Sequence, residues 1–258
     1  MGECVRYLYE HFRELHERPV DRIDLFLVGG GLSAEVGSRV AALCREYARE
    51  LTVVVTGSVG PGETVTSVAA DTLLMHPMAT LTTALSAGDR SKPGGNSPGL
   101  NSLVTHLIDR GQAADPAYGA MLQRTDAAAV GDAIHRVEWV RHQLEQLAQA
   151  RLHPPDKAAL AVLVDTLTKR VQRVGEPVDR RSARLLEALP VQIPTPDLES
   201  LAFDLHIAYE GALELLLRSD SAPRAVIESV HTLHTLGRAD EAGEVVEQWV
   251  RHFDAPVH

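Results

Sequence analysis

The sequence predicts an α/β fold, a parallel sheet built through β-α-β crossovers and followed by a mostly helical C-terminal region. Three observations carry this reading. Short apolar runs at 23–28, 51–56 and 71–75 alternate with segments of helical period. The first two runs each end in a glycine-rich turn. Beyond residue 98 the helical period dominates.

The elements follow in order. Apolar residues at 5, 8, 9, 12 and 15 give 4–17 one helical face. Ile23-Asp24-Leu25-Phe26-Leu27-Val28 is short, apolar and closed by Gly29-Gly30-Gly31, as a buried strand entering a turn should be. Ser33 is placed to cap the next helix, whose face is Val36, Val40, Leu43, Cys44 and Tyr47. Leu51 to Thr56 forms a second buried strand, interrupted by Gly57-Ser58-Val59-Gly60-Pro61-Gly62-Glu63. A short helix through Val65, Val68 and Ala69 leads into a third strand, Asp71 to Met75. Strand, turn, helix and strand in this order imply parallel crossovers. Sites in such sheets form where glycine turns leave the carboxyl ends of strands.

Residues 87–98 form a polar loop too rich in Gly and Pro to pack. A long amphipathic helix is expected over 126–151, stopped by His153-Pro154-Pro155, and another from Pro155 through Val171. A third covers 179–188, and Val191-Gln192-Ile193 is placed to return to the sheet. Helices over 197–217, 222–236 and 239–252 close the chain, the last two as a hairpin about Gly237. Three units result: an α/β core at 1–98, its helical continuation at 99–195 and a C-terminal helical region at 196–258.

Composition removes several function classes. With 258 residues, 45% hydrophobic and 23% charged, the chain can bury a core without disulfides or metals. No run approaches the roughly 18 apolar residues of a membrane span. The first residues show no basic region leading into an apolar run, so no signal peptide is expected. Cys4 and Cys44 have no metal spacing and make no disulfide framework, which fits a cytoplasmic protein. A net charge of −10 argues against nucleic acid as a partner. Lysine occurs only at Lys92, Lys157 and Lys169, leaving few lysine bases.

The glycine turns are where chemistry is expected. Backbone N–H groups exposed there can hold a phosphate or an oxyanion. Gly29 to Ala34 lacks the G-x-G-x-x-G fingerprint, and Gly57 to Thr64 lacks the lysine of a P-loop. His231 and His234 share a helical spacing but have no third ligand, and Trp139 and Trp249 read as packing residues. No metal and no cofactor are expected.

The two turns and the segment after them resemble the ClpP/crotonase superfamily, most closely the serine dehydrogenase proteinase branch of SppA-like, ClpP-class peptidases. Leu25-Phe-Leu-Val-Gly-Gly30-Gly31 is similar to that family's "LLLHTPGG". Thr64 to Pro77 follows "TLLALGADEIVMGP", and Gly175 to Val191 looks like "G-x-P-I-x-x-x-x-A-x-x-x-G-L-P-V". The resemblance covers about residues 20–85 well and 160–215 loosely. It implies a ClpP/crotonase-like sheet, an oxyanion hole at Gly30 and Gly31 with Gly62 beside it, and assembly into oligomers.

The family's nucleophilic serine falls on Pro61, which has no hydroxyl to attack a carbonyl. The residues matching "LGPxDP" are Leu81 to Ser86, so its acidic position is apolar, and no histidine stands about 25 residues after Pro61, where the resemblance implies a base. The leading expectation is therefore a catalytically degenerate pseudo-peptidase. It would bind a peptide or acyl group, or assemble as a homo-oligomer or with an active relative. Two alternatives stay open: a hydrolase using a displaced Ser58 with the Gly30–Gly31 hole, and a crotonase-like acyl enzyme using Glu63 as its acid or base.

Overall fold

The computed structural model describes residues 3–15, 18–85, 104, 127–171, 176–212, 225–228, 232–239 and 245–251. Helix α1 (Glu3–Arg13) precedes β1 (Val20–Leu27), α2 (Ala34–Tyr47) and β2 (Ala48–Val55). A two-residue strand, β3 (Ser58–Val59), leads into α3 (Pro61–Val68), β4 (Thr72–Met75) and β5 (Thr80–Leu81). Then come α4 (Ala127–Gln149), α5 (Lys157–Asp165) with a π turn over Thr166–Arg170, β6 (Val178–Asp179), α6 (Arg180–Arg184), β7 (Val191–Gln192) and α7 (Pro196–Ala212).

The main sheet has the order β1-β2-β4-β7, and every neighbouring pair is parallel. The expected crossovers are therefore present, and Val191 does return to the sheet, opposite Leu73. Buried-strand composition explains the centre of the sheet, where Leu51, Val53, Val55, Leu73 and Met75 have no exposed surface, whereas β1, expected to be buried, is an edge strand buried only at Leu27. Leu144 of α4, Leu163 of α5 and Leu167 of the π turn are equally buried, so the helices close the core. Ser33 caps α2 by accepting from the Val36 N–H, as its position predicted, and Asp156 and Asp179 cap α5 and α6 in the same manner.

Register decides where a site can form. Leu27 lies opposite Val55, and Val55 opposite Met75. Three carboxyl ends therefore finish level, and the Gly29–Gly31 turn, Thr56 and His76 leave the sheet side by side. A second, smaller sheet, β3-β5-β6, carries Ser58 opposite Thr80.

The last part of the chain departs from expectation. The helices expected at 222–236 and 239–252 are replaced by an antiparallel sheet of β8 (Ala225–Glu228), β9 (Thr232–Ala239) and β10 (Val245–Arg251), ordered β10-β9-β8. The physical reason lies in the residue types. Val226, Ile227, Thr232, Thr235, Val245, Val246 and Val250 are β-branched, and Gly237 weakens a helix interior. His234 is in β9, whereas His231 and the loop at 87–98 with Lys92 lie outside the described residues. The helix expected at 179–188 is also shorter, ending at Arg184. Of the helix expected at 197–217, the described part is α7, ending at Ala212.

Candidate functional site

The site is built by two glycine turns pressed together. Gly29 takes φ +81°, a left-handed conformation that favours glycine and turns the chain out of β1. The first turn then meets the second at backbone distance. A Cβ on Gly30 would lie 2.8 Å from the Gly60 nitrogen, and one on Gly62 would lie 2.4 Å from both the Leu32 Cβ and the Ser33 carbonyl. The Gly62 N–H donates to the Leu32 carbonyl at 3.0 Å. Behind this contact α2 and α3 touch at Gly37, where a Cβ would be 2.0 Å from the Gly62 carbonyl. The Thr66 hydroxyl donates to the carbonyls of Gly37 and Gly62, both at 3.0 Å.

Pro61 is the first residue of α3, a position where its missing N–H costs nothing. Glu63 stands two residues on, in the positive first turn of the helix. A glutamate here usually reaches back to its own helix cap. In this chain Glu63 crosses to the other turn: its Oε1 accepts from the Gly31 N–H at 3.0 Å and the Leu32 N–H at 3.2 Å. Glu63 is only 5% exposed, and its Oε2 is buried without a hydrogen-bond partner among the described residues. Gly30 and Gly31, by contrast, are exposed.

The sequence-predicted residues therefore divide. Gly31 does present its N–H toward a negative charge, but that charge is the chain's own, and the second donor is Leu32 rather than Gly30. Gly30 serves the close approach to Gly60, and the Gly62 N–H is committed to Leu32. Ser58 is exposed on β3. Pro61 opens α3 as the structural start of the helix.

A second group went unread in the sequence. Thr56, directly after β2, is fully buried, and its Oγ1 lies 2.8 Å from Nδ1 of His206 on α7. His206 Nε2 lies 3.3 Å from Glu210 Oε1, one turn along the same helix. Hydroxyl, imidazole and carboxylate thus form a chain of the kind that activates nucleophiles. With no exposed surface on Thr56, its effect in this fold is to fasten α7 to the sheet edge. Neighbouring contacts do the same. His76 stacks on Phe203 with centroids 5.6 Å apart, Phe26 packs on Tyr209, and Arg180 pairs with Glu199 at 2.8 Å while reaching the Met75 carbonyl. Burial lowers the His76 imidazole below its ordinary value; Glu199 opposes that shift, and Arg180 and His206 add to it. The i, i+4 spacing of His206 and Glu210 is visible in the sequence, but their meeting with Thr56, 150 residues away, depends on the fold.

Helix α7 thus lies across the carboxyl ends of β1, β2 and β4, the crevice where open α/β sheets bind ligands. No group of three or more His, Cys, Asp or Glu among the described residues is arranged to hold a metal ion, and no helix among them is long and apolar enough to cross a membrane. No known family model and no curated protein matches the sequence.

Proposed function

We propose that this chain is a catalytically degenerate protein of the ClpP/crotonase type, a pseudo-peptidase that acts by binding or assembly. One observation carries the reading. The N–H groups best placed to polarise a substrate carbonyl are filled by the Glu63 carboxylate, beside a proline at the position of the family's nucleophile. A donor already bonded to a carboxylate cannot stabilise a developing oxyanion without first giving it up. The covering of the strand ends by α7 supports the same reading.

Assembly is supported by a second stripe of α7. Leu198, Leu201 and Leu205 fall on one side of the helix and are all exposed, Leu201 at 64%. Large apolar side chains grouped on one helix mark a contact surface more often than a solvated one. In this reading the helix holds the sheet with Phe203, His206 and Tyr209 and offers its leucines to a second subunit.

The Ser58 hydrolase and the Glu63 acyl enzyme make different demands. Ser58 needs a base, and no hydrogen bond from its side chain to a basic group among the described residues supports one. Glu63 needs a free carboxylate facing the ligand, and its Oε1 is doubly bonded to backbone.

Intact-mass spectrometry after incubation with a fluorophosphonate probe tests the proposal, with Ser58→Ala as control. No adduct on folded protein is expected. A single adduct on the wild type that disappears in Ser58→Ala overturns the pseudo-peptidase reading and establishes an activated serine.

A further inference from the structure

We propose that the Gly31–Leu32 N–H pair is a binding site for a carboxylate-bearing ligand, and that Glu63 is its internal competitor. Three observations combine. Two successive backbone N–H groups converge on one oxygen, Glu63 Oε1, at 3.0 and 3.2 Å, which is the geometry of an anion-binding nest. The carboxylate that fills it is nine-tenths buried and ill satisfied on its other side, since Oε2 has no hydrogen-bond partner among the described residues. A buried carboxylate oxygen left unpaired costs stability, so withdrawing Glu63 recovers part of what breaking its two bonds loses. Of the donor residues, Gly31 is exposed and Leu32 half-buried, so the turn that carries them reaches the surface. Both N–H groups point at Glu63 Oε1, so an external carboxylate reaches them from the exposed side of the turn only once Glu63 has swung out.

Such a site is bistable by construction. With Glu63 in place the turn is closed and self-satisfied. A ligand carboxylate that takes over the two N–H groups must release Glu63, so apparent affinity falls by the fraction of molecules in which the nest is open. Removing the competitor should uncover affinity that the intact chain hides. The inference rests on the proposed loss of catalysis at this turn, but it fails separately: a covalent adduct strikes that reading, whereas the test below measures anion binding.

The test uses sodium formate as the probe, against sodium chloride at equal ionic strength, on the wild type, Glu63→Ala and Glu63→Gln. Thermal unfolding and the amide resonances of Gly31 and Leu32 are followed. For Glu63→Ala, formate should raise the melting temperature saturably, by about 2–4 °C at about four times its Kd. It should also shift those two amide resonances. Wild type should respond little, and so should Glu63→Gln, whose amide oxygen still fills the nest. Glu63→Ser must behave as Glu63→Ala does. Should both small variants be partly unfolded in chloride, formate at about four times its Kd must raise their folding equilibrium about fivefold, read from near-UV dichroism. No formate effect beyond that of chloride, or an equal effect on wild type, overturns the proposal.

Discussion

Glu63 and Asp71 are two carboxylates with opposite fates. Burial pushes the Asp71 carboxyl up, but hydrogen bonds from Arg45 and from the Leu51 and Leu152 N–H groups outweigh it and hold it below the ordinary carboxylate range. Its side chain is 5% exposed and its Arg45 partner 13%, so both charges are largely out of water. The sign follows from linkage. A depressed carboxyl contributes stability that is complete above its unfolded value of about 3.9 and is lost as pH falls through the folded one. Urea unfolding of the wild type should therefore weaken below about pH 4, and Asp71→Asn should flatten that dependence. At neutral pH the substitution should cost about 3 kcal/mol, because it strands Arg45. Equal pH profiles for the two proteins would count against this account. Among the described residues Glu63 has two donors, both on one oxygen, and so is the carboxylate that a competitor can displace.

Among the elements, the α2–α3 contact and α7 do the positioning. Gly62 admits no side chain, since a Cβ there meets both Leu32 and Ser33 at 2.4 Å. Gly62→Ala should lower the urea midpoint by about 2–3 kcal/mol of stability. Gly131, on α4 with nothing within 4 Å of an added Cβ, should gain about 0.5–1 kcal/mol on the same change. Helix α7 is tested at Thr56. Thr56→Val keeps the shape and leaves His206 Nδ1 without its partner, which should cost about 1–3 kcal/mol in the same unfolding assay. An unchanged midpoint would show that the pair does not hold the helix. The C-terminal strands show what periodicity misses: the spacing of apolar residues from 222 to 252 suits a helix, but their β-branched types suit a sheet. Residue type won.

At the scale of the whole molecule, the parallel sheet was legible because the centres of β2 and β4 are apolar and buried, and because a glycine turn follows both β1 and β2. The site was legible only in part. Spacing located both turns and marked Gly31 and Glu63, but which groups bond across 32 residues depends on how α3 docks on α2. Likewise Thr56 and His206 meet only because α7 returns over the strand ends. The molecule that results fills its own carboxyl edge, with Glu63 in the turn and α7 across the strands. Site-resolved amide hydrogen exchange on the wild-type chain tests this most directly. Gly31 lies on an exposed turn, so its amide is slow only if Glu63 holds it. Protection at Gly31 and Leu32 that disappears in Glu63→Ala, with Val54 in β2 still protected, is the predicted result. Exchange at Gly31 as fast as in an unfolded chain would contradict the account.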